Sequence, residues 1–117
     1  MRHHNSNRKF GRETKQRYAL MRGLMTSLIE QGKIQTTLAK AKSLRTFIEP
    51  LVTKAKVDSV HTRRLVSAKL MNNDTQTKKL FTEIAPKYKA VAGGYTRIIK
   101  IPRRLGDGAE LAVIEFV

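Results

Sequence analysis

Residues 33–55 read KIQTTLAKAKSLRTFIEPLVTKA, and two periods meet inside this stretch. Lys33 to Thr37 is short and rich in β-prone residues, which predicts a strand. From Leu38 onward the apolar residues fall at Leu38, Ala41, Leu44, Ile48, Leu51, Val52 and Ala55, the spacing of one helical face. Thr37 stands where a side-chain hydroxyl can cap that helix. Lys40, Lys42 and Arg45 lie away from the apolar face. Pro50 is expected to kink the helix or to mark the first turn of a second segment.

Upstream, residues 13–31 predict a helix with Tyr18, Met21, Met25 and Leu28 as its apolar stripe, widened by Leu20 and Leu24. Gly32 supplies its stop. Lys15, Arg17 and Arg22 decorate its polar side. Residues 1–12, MRHHNSNRKFGR, show no core-forming period and read as an extended basic arm that orders on a partner.

Downstream, Ser59 is positioned to cap a third helix over roughly 60–70, with Val60, Leu65, Val66 and Leu70 apolar and Arg63 and Arg64 exposed. Asn72-Asn73-Asp74 reads as a turn. Asp74 or Thr75 then caps a fourth helix carrying Leu80, Phe81 and Ile84, with Pro86 as its stop. After Gly93-Gly94, Tyr95–Ile101 and Glu110–Val117 read as strands joined by a turn across Arg103–Gly108. The reading is α+β: about four helices on a small three-stranded antiparallel or mixed sheet. Residues 13–117 form one domain, preceded by the arm.

The charge points to a partner. There are 24 Lys+Arg against 9 Asp+Glu in 117 residues, a formal net charge of +15. That much like charge repels itself in a compact state, and a polyphosphate backbone neutralises it. Every basic residue falls within residues 1–104. Leu105 to Val117 carries only acids, Asp107, Glu110 and Glu115, so this tail is expected to face the core, a protein neighbour or solvent.

Other chemistries find no support. The absence of cysteine excludes disulfides, thiolate metal sites and Cys nucleophiles. No apolar run is long enough to span a bilayer. The basic arm has no apolar segment after it and runs straight into a helix, so neither a signal nor a transit peptide is expected. His3, His4 and His61 lack acidic or thiol partners, and the carboxylates are scattered singly. No catalysis, cofactor, metal or small-molecule substrate is expected.

Three sites for RNA stand out. The arm and first helix offer Arg2, Arg8, Lys9, Arg12, Lys15 and Arg17. The start of the second helix offers Thr36, Thr37, Lys40, Lys42 and Arg45, where hydroxyls, free helix N–H groups and cations suit an anion. Gly93-Gly94-Tyr95-Thr96-Arg97 offers a close-approach backbone, a ring for stacking and a guanidinium. Alternation would set Tyr95 and Arg97 on one face, with Lys100, Arg103 and Arg104 extending it. A tight turn with a core tyrosine fits that same stretch. Arg63 and Arg64 add exposed charge on the third helix.

Taken together, these segments resemble one family, the bacterial-type large-ribosomal-subunit protein seventeen. The resemblance is carried by Ile34-Gln-Thr-Thr-Leu-Ala-Lys-Ala-Lys42, Glu49-Pro-Leu-Val-Thr53, Gly93-Gly-Tyr-Thr-Arg97, Arg104-Leu-Gly-Asp107 and the closing Ile114-Glu115. It covers the chain in order, without the long C-terminal extension that some members carry. It implies an α+β fold and a structural role bound to large-subunit ribosomal RNA and neighbouring ribosomal proteins. The implied place is the solvent side near the peptide exit tunnel, in a bacterial cytoplasmic ribosome rather than an organelle. No homo-oligomer is expected. The competing reading, an architectural DNA-binding protein, would need a recognition helix or heptads that the sequence does not display.

Overall fold

A computed structural model describes residues 3–4 and 8–117, and its elements follow the two periods described above. Helix α1 spans Thr14–Gln31 and ends at Gly32, whose φ of 81° lets its N–H return to the Leu28 carbonyl at 2.7 Å. Strand β1 is Lys33–Thr37 and helix α2 is Leu38–Ala55. Helix α3 is Val60–Lys69, opened by a reciprocal capping box between Ser59 and Thr62. Helix α4 is Asp74–Lys79. Strands β2, Thr96–Ile101, and β3, Leu111–Phe116, complete the chain.

The sheet is antiparallel, in the order β1-β3-β2. The acidic-only tail therefore supplies the central strand. Ile114 pairs across to Ile34 on one side and Ile98 on the other, and Ala112 and Ile114 are fully buried. The strand's end is tied at both edges: Phe116 N–H donates to the Gly32 carbonyl and Val117 N–H to the Tyr95 carbonyl. Tyr88 Oη donates to the Val117 carbonyl at 2.6 Å.

Helix α2 is the centre of the core. All seven residues of its apolar stripe are buried, against α1, α3 and the inner face of the sheet. Pro50 sits on an exposed position within this one continuous helix, so no second segment opens there. The buried Ile48, Leu51 and Val52 on either side hold the backbone helical although Pro50 donates no hydrogen bond.

Several expectations need correction. Neither Asp74 nor Thr75 caps the fourth helix, whose N-cap is Asn73 and carries no side-chain cap bond. Pro86 does not stop the fourth helix; after Lys79 the chain widens into a π turn over Leu80–Ile84, then tightens into a 3-10 turn over Ala85–Tyr88. The proline cannot donate to Thr82, and the changed pitch absorbs the missing bond while Leu80, Phe81, Ile84 and Tyr88 stay buried. In α3 only Val66 and Leu70 reach the core, whereas Val60 and Leu65 remain exposed because one side of this short helix has no neighbour. Tyr18 lies at the exposed start of the α1 stripe, ahead of the buried Met21, Met25, Leu28 and Ile29. The arm is not extended throughout: Arg12 N–H donates to the Lys9 carbonyl and Phe10 and Gly11 take positive φ, so the chain turns just before α1.

Candidate nucleic-acid interface

On the helical side, Arg8, Lys9, Arg12 and Lys15 are exposed and Arg17 is half-buried. Arg12 donates to the Phe10 carbonyl at 2.8 Å, which stiffens the turn into α1. Arg2 lies outside the described residues. Lys42 and Arg45 project from the exposed side of α2, and Lys40 is half-buried. Arg8 and Lys42 both line two neighbouring clefts, one between α1 and α2 and one beside the start of α2. The structure thus brings the first two sites of the sequence together into one cationic region.

The helix start itself is less open than the sequence suggests. Thr37 Oγ1 accepts from Lys40 N–H at 3.4 Å, and Leu38 N–H donates to the Glu110 carbonyl at 2.9 Å. Those two donors are already satisfied by the cap and by the approach to β3. Thr36 and Thr37 are half-buried, with Thr36 opposite Ala112 in the ladder. Cations, more than free N–H groups, make this end attractive to phosphate.

The sheet side differs. Arg97 Nε donates to Glu115 at 2.6 Å, directly across the β2–β3 ladder. Arg103 pairs with Glu110 at 3.0 Å. Arg104 holds Asp107 with two bonds, at 2.9 and 2.7 Å. Arg104 also depresses the Asp107 carboxyl to about 2, helped by the Ala109 N–H. Each acid of the C-terminal tail is therefore matched to an arginine of the proposed RNA edge. Lys100 is exposed on the same strand. On α3, Arg63 is engaged in the same way: it grips Asp58 at 2.6 and 2.9 Å and lies 5.2 Å from the Phe81 ring centroid. Its bond to Asp58 lowers the aspartate below the usual carboxylate range. Arg64 is exposed.

Tyr95 is a correction. Its ring is 1% exposed and packs 5.3 Å from Tyr88, so it offers no face to a base. Gly93 and Gly94, with φ of 103° and 67°, turn the backbone just before β2 and take Tyr95 out of the strand alternation. Its hydroxyl meets Thr53 Oγ1 at 3.1 Å, and Lys56 Nζ sits 4.7 Å from the ring centroid while donating to the Val91 carbonyl. Glu49 secures the next residue, accepting from the Thr96 hydroxyl at 2.9 Å. The glycine pair and its tyrosine lock β2 onto α2.

Four residues near the helical cations escaped the sequence reading as site residues: Tyr18, Arg22, Phe47 and Lys69. They line the α1–α2 clefts with Arg17 and Lys42. Phe47 carried the one legible signal, an aromatic residue just off the α2 apolar stripe. Among the described residues, no group of three or more His, Asp or Glu side chains could hold a metal ion. No described helix is long and apolar enough to cross a membrane.

Comparison with known proteins gives concordant results. The family model "Ribosomal protein L17" matches residues 20–117. "Large ribosomal subunit protein bL17" of Sulfurihydrogenibium sp. is 53% identical over all of this chain and 97% of its own length. The protein of that name from Gemmatimonas aurantiaca is 51% identical over 100% and 98% of the two chains. That from Dictyoglomus turgidum is 53% identical over the full length of both. With its whole sheet inside the residues that the family model matches, and with relatives about half identical over the full chain, this chain belongs to the ribosomal protein L17 family.

Proposed function

We propose that the chain is a structural constituent of the large ribosomal subunit, bound to large-subunit ribosomal RNA, and that it catalyses no reaction. The observation that carries this is the full-length similarity to large-subunit proteins. The charge distribution supplies the mechanism. Arg8, Lys9, Arg12, Lys15 and Arg17 meet phosphates along the arm and α1. Lys40, Lys42 and Arg45 meet them on α2, with Thr36 and Thr37 at its start. Each neutralised phosphate releases counterions and lowers repulsion between packed RNA helices.

The sheet side takes a secondary part. Lys100 and Arg64 are available as phosphate contacts, while Arg63, Arg97, Arg103 and Arg104 reach RNA by exchanging an exposed acid for a phosphate. Such exposed ion pairs contribute about 0–1 kcal/mol each, so the exchange is inexpensive. The outer face of the sheet is the side for neighbouring ribosomal proteins. There Ile99 is 47% exposed, and its ladder partner is Val113. The setting is a bacterial ribosome in the cytoplasm, in the region of the peptide exit tunnel, with the chain as a single copy.

A tagged chain is expected to sediment with large subunits at low salt and to be stripped from them at high salt. A chain found with the nucleoid and absent from large subunits would overturn the reading in favour of DNA.

A further inference from the structure

We propose that the cleft between α1 and α2 holds the base of an unpaired RNA nucleotide. The inference rests on the reading of the chain as an RNA-binding protein and adds the ligand chemistry of one site. The cleft is about 320 Å³, and a neighbouring one of about 360 Å³ shares Tyr18, Met21 and Phe47 with it. Tyr18 is 45% exposed and Phe47 is half-buried, and their rings meet edge to face with centroids 6.2 Å apart. Every charged residue lining the two clefts is a cation: Arg8, Arg17, Arg22, Lys42 and Lys69. Among the described residues, none of the five forms an ion pair.

These two facts select the occupant. Cations alone would suit a phosphate or an acidic peptide, and neither needs an exposed aromatic ring. A base uses both features, stacking on the ring while its flanking phosphates meet the cations. A base inside a duplex cannot reach a ring on a helix surface, so the nucleotide must come from a loop, bulge or end. Arg17 already lies 5.8 Å from the Tyr18 ring centroid, a planar cation beside the same ring. Tyr18 meets α2 through Phe47 yet keeps nearly half of its surface exposed, so the fold does not use it as a core residue.

The test uses the full chain and purified large-subunit ribosomal RNA, with affinity measured across a salt series. Tyr18→Ala is expected to weaken binding about tenfold, as loss of one base–aromatic stack does. Its dependence on salt should stay as in the wild type, because no phosphate contact is removed. Tyr18→Phe should bind like the wild type. Ultraviolet irradiation of large subunits containing the chain should join the Tyr18 peptide to a nucleotide. Undiminished binding by Tyr18→Ala overturns the base site, and so does a Tyr18 peptide joined to another protein. A wild-type chain that binds no ribosomal RNA overturns the broader reading as well, so the two failures are told apart.

Discussion

The helical side and the sheet side of this molecule carry arginines in opposite conditions. Around α1 and α2 the cations lie near aromatic and hydroxyl groups and form no ion pair among the described residues. Along β2 and the hairpin, Arg97, Arg103 and Arg104 each face an acid of the C-terminal tail. Net charge does not distinguish them, since every arginine counts once. What differs is availability: an unpaired cation gains the whole phosphate interaction, while a paired one gains only the difference between phosphate and carboxylate. A basic chain thus concentrates its affinity on one side and uses part of its charge on the other to hold a hairpin.

The largest effect that bears on this contrast is structural. Tyr95→Ala should destabilise the fold by about 3–5 kcal/mol, as removal of a fully buried ring does, measured by the midpoint of denaturant unfolding. Tyr95→Phe keeps the ring and loses the Thr53 bond, at a cost of about 1 kcal/mol. An unshifted midpoint in Tyr95→Ala, with weakened RNA binding, would return the ring to the RNA surface.

Next, replacing Arg17, Lys42 and Arg45 with glutamine should flatten the salt dependence of RNA binding by about 0.9 log units per tenfold salt for each cation removed. The same treatment of Arg97, Arg103 and Arg104 should flatten it by less than half as much. Equal effects would erase the distinction between the two sides.

The smallest effect is a titration. Asp107 is held near 2, below the ordinary value of 3.8, so its folded form favours the charged state. Its bond to Arg104 therefore contributes fully above the ordinary carboxylate range and is lost as pH falls from about 4 through about 2. The carboxyl carbon of Asp107, followed by NMR, should titrate near 2. A midpoint near 4 would mean that the hairpin clamp is absent in solution.

The sequence made the fold legible where one local pattern suffices. The α2 stripe named all seven buried positions because a 3.6-residue period is written in adjacent turns. Ser59 and Gly32 marked their helix ends for equally local reasons. Patterns set by distant partners were hidden. Arg97 meets Glu115 only through the register of two strands, 18 residues apart. Val60 and Leu65 carry a helical apolar spacing, yet no element covers them. The burial of Tyr95 depended on two positive-φ glycines, which strand alternation cannot anticipate. The candidate site divided in the same way: Arg8, Arg17 and Lys42 could be read one by one, whereas Arg22 and Lys69 joined them, and Tyr18 and Phe47 became a pair, only when the helices packed.

One feature of the sheet reaches beyond the folded state. The strand between the other two is the last of the three to be synthesised, and β1 waits from residue 33 until residue 111 for its partner. Until then β1 and β2 both offer unpaired backbone, and Glu115, the acid that restrains Arg97, does not yet exist. A growing chain is therefore more cationic and more open than the finished one. The sheet closes only once Leu111–Phe116 is made, so a chain cut short before Leu111 would leave two basic strands without their common partner, prone to the wrong ones.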